Sequence, residues 1–158
     1  MTESSSTPRA TAHEFTMTRV FDAPRDLVFR AWTRPEQVTR WFGPRGCTTP
    51  LPTISMDVRP GGRWRACMIS DADGTEYPTG GVYREVVEPA RLVFTWGDPE
   101  HPGVVEKESV VTVTFAERGD QTEMTFHLRG FATEDERVNV EDGWSTCLDR
   151  LAEYLVKV

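Results

Sequence analysis

The sequence predicts an α+β fold in which one antiparallel sheet packs a single face against a long C-terminal helix. Three observations carry this prediction. From Thr53 to Gly130 the chain is a succession of alternating apolar and polar runs separated by short turns. Such spacing builds hairpins and omits the crossover helices that a parallel sheet needs. The closing stretch EDGWSTCLDRLAEYLVKV places Trp144, Cys147, Leu148, Leu151 and Leu155 on one helical face, with Ser145, Thr146, Asp149, Arg150, Glu153 and Lys157 opposite. A helix with one apolar stripe must bury it against another layer, and 158 residues suffice for one domain with one core.

The elements follow in order. Residues 1–13 carry too little apolar content to order themselves, so they are expected to form a disordered tail, leaving residues 14–158 as a single domain. FTMTRVF (Phe15 to Phe21) alternates and is rich in strand formers, which predicts the first strand. In DAPRDLVFRAW, Pro24 suits a first helical position, and Leu27, Val28, Ala31 and Trp32 make an apolar stripe. Thr33-x-x-Glu36 has the form of a capping box and predicts a second short helix running to Trp41. GPRGC and the prolines Pro50 and Pro52 then impose a loop.

Strands are expected over TISMDV, GRWRACMI, YPTGGVYREVVE, RLVFTW, EKESVVTVTF and QTEMTFHLRG, with turns at Pro60-Gly61-Gly62, DADG, Pro89-Ala90, GDPEHPG and ERGD. Gly80-Gly81 is a possible bulge that would shift the phase of the strand around Tyr83. Thr133-x-x-Glu136 caps the final helix, with Glu134 and Asp135 at its positive end. Its two dozen residues would span roughly 36 Å, enough to cross a small domain. Gly143 lies inside this helix at a cost of about 1 kcal/mol relative to alanine. A close approach by another group would explain it; so would simple tolerance.

Composition excludes several function classes. No apolar run approaches the ~20 residues of a membrane helix, and the N-terminus lacks the pattern of a secretory signal, so a cytoplasmic protein is expected. A net charge of −7 argues against nucleic acid or an anionic membrane as partner. Arg59, Arg63 and Arg65 form a local basic cluster, read as a solvated outer strand face. Cys47, Cys67 and Cys147 are odd in number and widely spaced, as expected of reduced thiols and not of a disulfide framework or zinc ribbon.

No catalytic signature is present: the chain lacks a nucleophile elbow, a phosphate-binding loop, a dinucleotide fingerprint and a His-rich metal motif. RPGGRW reads as a turn, and DADG lacks the remaining ligands of a calcium loop. No metal, cofactor or catalytic residue is therefore expected. His13 lies in the tail, His101 in a proline-bounded loop, and His127 on the outer face of the last strand; Glu85, Glu106 and Glu108 read as surface carboxylates. Cys147, on the helix stripe, is expected to be an inert thiol in apolar surroundings.

Alternation places Trp64, Ala66 and Met68 on the inner sheet face, with Leu92, Phe94 and Trp96, then Val111, Val113 and Phe115, and then Met124, Phe126 and Leu128. So many rings on a curved sheet are expected to leave space between them.

The segments APRDLVFRAWTRPEQVTRWFGP, GGVYREVVEPARLVFTW, VTVTF and GFATEDERVNVEDGWSTCLDRLAEYL resemble, in that order, the landmarks of one bacterial SRPBCC family. It is named for its similarity to the activator of a heat-shock chaperone ATPase, and it belongs to the START and birch-pollen-allergen superfamily. The resemblance covers Phe15 to Val158. It implies a helix-grip fold: a six- or seven-stranded sheet wrapped around the last helix, two short helices closing one end, and a hydrophobic cavity between helix and sheet. By position it implies Trp41 and Phe42 at the cavity mouth, Trp64, Tyr83, Phe94 and Trp96 on the sheet wall, and Trp144 and Leu148 on the helix wall. Met68, Phe126 and Cys147 join this set from the alternation and the helix stripe. The function expected is binding of a small hydrophobic or aromatic molecule. A polyketide-cyclase-like enzyme and a co-chaperone-type interaction module are the alternatives, the chaperone supported by family membership alone. Whether Trp144 plugs a solid core or walls a cavity is the question on which this reading turns.

Overall fold

The computed structural model describes residues 14–97, 109–131 and 133–156. The elements are β1 (Glu14–Phe21), α1 (Arg25–Thr33), α2 (Pro35–Val38), β2 (Cys47–Thr48), a 3₁₀ turn (Leu51–Thr53), β3 (Ser55–Met56), β4 (Arg63–Ser70), β5 (Glu76–Val87), β6 (Arg91–Trp96), β7 (Ser109–Arg118), β8 (Gln121–Arg129) and α3 (Glu134–Val156). The expectations for the tail, for His13, His101, Glu106, Glu108 and Lys157, and for most of the loop after β6 fall outside the described residues.

All strand pairs are antiparallel, in the order β1-β8-β7-β6-β5-β4-β2, with β3 also paired to β4. From β4 to β8 this is the expected meander. The first strand then adds to the edge of the last, pairing Glu14 with Arg129 and Phe21 with Thr122. The eighth strand, absent from the sequence reading, is the two-residue β2. It sits in the proline-flanked loop and is too short to show a period of its own.

The alternation resolves as expected. Ala66, Leu92, Val111, Val113, Phe115, Met124 and Leu128 are buried on the inner face, against Leu148, Leu151 and Leu155 of α3. Arg63 and Arg65 are exposed. His127 is half-buried on the outer face, its Nε2 2.5 Å from Glu14 Oε1. Glu85 forms a surface ion pair with Arg91 at 2.6 Å.

Three local details differ from the sequence reading. Thr33 is not a cap; it ends α1, and its hydroxyl donates to the Phe29 carbonyl at 3.1 Å. Pro35 forces Arg34 into extended backbone (φ −121°, ψ 124°), so α2 starts there and lasts one turn, stopping at Val38 and not at Trp41. The sheet irregularity lies after Tyr83, not at Gly80-Gly81. Tyr83 pairs with Phe94 but Glu85 with Val93, which makes Arg84 the inserted residue. Gly81 serves a different purpose: a Cβ there would lie 2.0 Å from the Thr95 carbonyl oxygen. Its absence lets Thr95 Oγ1 accept the Val82 N–H at 2.8 Å. At the start of α3 the predicted cap is present, Thr133 Oγ1 accepting the Glu136 N–H at 3.1 Å.

Candidate functional site

The space between helix and sheet is largely filled by rings. Trp32 of α1 is the hub: its ring lies 4.8 Å from Trp41, 6.2 Å and nearly parallel to Trp144, 6.4 Å from Phe94 and 6.1 Å from Phe126. Phe126 approaches Trp144 at 4.6 Å, and Phe42 meets both Trp64 and Trp144 edge-on. Two indoles are anchored by their N–H groups, Trp41 donating to Ala31 O and Trp64 to Thr95 O, each at 3.0 Å. What remains among Trp32, Trp41, Phe42, Trp64, Tyr83 and Phe94 is about 30 Å³, room for a water-sized guest.

The larger spaces open at the N-terminal half of α3. A deep cleft of about 150 Å³ is lined by Phe42, Gly43, Pro44, Met68, Trp96, Val140, Gly143, Trp144 and Cys147. An outer cleft of about 360 Å³ shares Met68, Trp96 and Val140 with it and extends past Tyr77, Thr79, Phe131 and Glu136. The two therefore adjoin along Trp96 and Val140.

Of the residues expected to border a cavity, Phe42, Met68, Trp96, Trp144 and Cys147 line the deep cleft. Trp41, Trp64, Tyr83 and Phe94 border only the small space of about 30 Å³, which also reaches Ile54, Met56 and the exposed Arg65. Trp41 is not at a mouth: it is fully buried, because the loop after α2 folds its ring onto Trp32. Phe126 and Leu148 are fully buried and line none of these spaces. The sequence reading missed Gly43, Pro44 and Val140, and it singled out Gly143 as a glycine inside the helix without placing it at the cavity. Val140 had a legible signal, since it stands one helical turn before Trp144 on the same stripe.

The wall opposite the helix is the Gly43–Cys47 loop, held by hydrogen bonds. Gly43 adopts φ 106°, a left-handed conformation that favours glycine. Its N–H donates to Cys147 Sγ at 3.2 Å. Arg150 Nη1, one turn further along α3, donates to Gly43 O at 2.9 Å, Cys47 O at 3.2 Å and Pro44 O at 3.4 Å. Arg45 adds an ion pair to Glu153. The helix thus grips the loop that faces it.

Electrostatically the deep cleft is neutral. Burial pushes the Cys147 thiol up to about 12, outweighing the Gly43 N–H and the Arg150 charge, which pull the other way. The Tyr83 phenol is likewise raised by burial, with the Asp57 carboxylate adding to the effect. Two buried indole N–H groups, those of Trp32 and Trp96, have no partner among the described residues. No cluster of His, Cys, Asp and Glu suited to a metal occurs among the described residues. No helix there is long and apolar enough to cross a membrane.

A curved antiparallel sheet closed over one long helix, with two short helices between its first two strands, is a helix-grip α+β fold. The sequence profile of the Activator of Hsp90 ATPase homolog 1-like proteins, an SRPBCC-type family, matches residues 22–156, and the chain belongs to that family. The fold is similar to that of a Nitrosomonas europaea protein (TM-score 0.78, 24% identity, 92% of this chain and 96% of that one). A Chromobacterium violaceum protein is equally similar (TM-score 0.78, 25% identity, covering 90% and 96%). So is an AHSA1 protein from Silicibacter pomeroyi (TM-score 0.78, 23% identity, covering 90% and 97%). The curated proteins compared include no match.

Proposed function

We propose that this protein binds a small hydrophobic or aromatic molecule in the adjoining clefts beside α3. The observation that carries the reading is the deep cleft itself, about 150 Å³ walled by Phe42, Met68, Trp96, Trp144 and Cys147 and adjoining an outer cleft of about 360 Å³. Ligand sites are commonly concave, mostly apolar and preformed, in the range of roughly 300–1,000 Å³. Binding is favoured over catalysis because acid–base chemistry needs a group that exchanges protons near neutral pH within reach of the substrate. The described lining of the deep cleft offers only a thiol pushed up to about 12, and the outer cleft adds a single carboxylate, Glu136, and the Tyr77 phenol. Family membership brings a chaperone contact into view, but no surface feature among the described residues selects it over the cleft.

The test is native mass spectrometry of protein purified without detergent or organic solvent. A single non-covalent small-molecule adduct per chain, displaced by an apolar fluorescent dye, is expected. Protein that emerges free of adduct and takes up no dye contradicts the proposal.

A further inference from the structure

Gly143 is the one glycine of α3, and it lines the deep cleft. A Cβ added there meets no atom within 4 Å, so no part of the described protein requires its absence. Beside it the buried stripe of the helix presents side chains throughout, from Trp144 through Cys147 and Leu148 to Leu155. At Gly143 it presents bare backbone to an open space. That backbone makes no polar demand on a guest through its carbonyl, which already accepts the Thr146 hydroxyl at 2.9 Å.

The surroundings define the guest. The described lining carries no lysine, arginine or carboxylate, so an ion placed there would be desolvated without a partner. Arg150 stands behind the loop, its Nη1 committed to three carbonyls. Trp96 and Phe42 each meet Trp144 edge-to-face, at 6.0 and 5.7 Å. A third aromatic group extends that arrangement favourably. We infer that the deep cleft takes the uncharged ring of an aromatic molecule laid against the helix backbone at Gly143, and that Gly143 sets the size of ring admitted. The inference rests on the ligand-binding reading above and adds the chemical class and the residue that determines specificity.

Two dyes sharing one skeleton test it: neutral N-phenyl-1-naphthylamine and anionic 1-anilinonaphthalene-8-sulfonate, titrated into the full chain and into Gly143→Ala and Gly143→Leu. The wild type is expected to bind the neutral dye saturably and the sulfonate roughly tenfold or more weakly. Gly143→Leu should weaken the neutral dye by roughly tenfold or more while its Tm stays at or above the wild-type value. Gly143→Ala, the smaller insertion, should weaken it less with a raised Tm, and it carries the size test should the leucine variant unfold. Equal affinity for the two dyes overturns the uncharged guest. Unchanged affinity in the folded Gly143 variants overturns the role of Gly143. Failure of the wild type to bind the neutral dye at all overturns the ligand-binding reading itself, and this inference with it.

Discussion

The thiol of Cys147 sits where the helix meets the Gly43 loop, accepting the Gly43 N–H and 3.8 Å from the Trp41 carbonyl. An ordinary thiol titrates near ~8.5, whereas this one is pushed up to about 12 by burial. Being raised, it binds its proton more tightly folded than unfolded. Its contribution to stability is therefore intact below about pH 8.5 and is progressively lost as pH rises toward about 12. At pH 8, iodoacetamide should alkylate the half-buried Cys47 and Cys67 first and leave Cys147 untouched until the protein unfolds. Peptide mapping of the alkylated protein checks this. Early labelling of Cys147 would show a reactive thiol and reopen a catalytic reading.

Helix α3 joins core and cleft along one stripe. Trp144 is 5% exposed and packs against Trp32, Phe42, Trp96 and Phe126, yet it also lines the deep cleft. With rings on so many sides, Trp144→Ala should cost on the order of 3–5 kcal/mol, as a core aromatic does. It should also widen the cleft and alter dye binding. Leu155→Ala, three turns further on and away from the clefts, should cost about 2–5 kcal/mol and leave dye affinity of the folded protein unchanged. Chemical denaturation with parallel dye titrations separates the two. Equal effects on dye binding would mean that the cleft is not the dye's site. The stripe, the strands and the cap at Thr133 were legible because each follows a fixed spacing along the chain. The one-turn length of α2, the two-residue β2 and the insertion at Arg84 were not. They depend on Pro35, on pairing with β4 and on packing across the sheet, none of which leaves a periodic trace.

Across the whole molecule, the inward-facing rings were readable from the sequence, but their division into core and cleft lining was not. Trp41, Trp64 and Phe94 pack inward around Trp32 because the sheet curves over α1 and α3 together, a long-range consequence that alternation cannot express. The space lies beyond them, bordered by Gly143, Gly43, Met68 of β4 and Trp96 of β6. The central claim is that an apolar guest enters at that end and not in the middle of the core. The five indole N–H resonances in an amide-correlation spectrum report on it, recorded while the neutral naphthylamine dye is titrated in. Saturable shifts should be largest for Trp96 and Trp144, which line the cleft, and for the amides of Gly43, Val140 and Gly143. The indoles of Trp41 and Trp64, bonded to Ala31 O and Thr95 O, should hardly move. Large shifts at Trp41 and Trp64 with Trp96 and Trp144 still, or no saturable shift at any of them, would contradict the account.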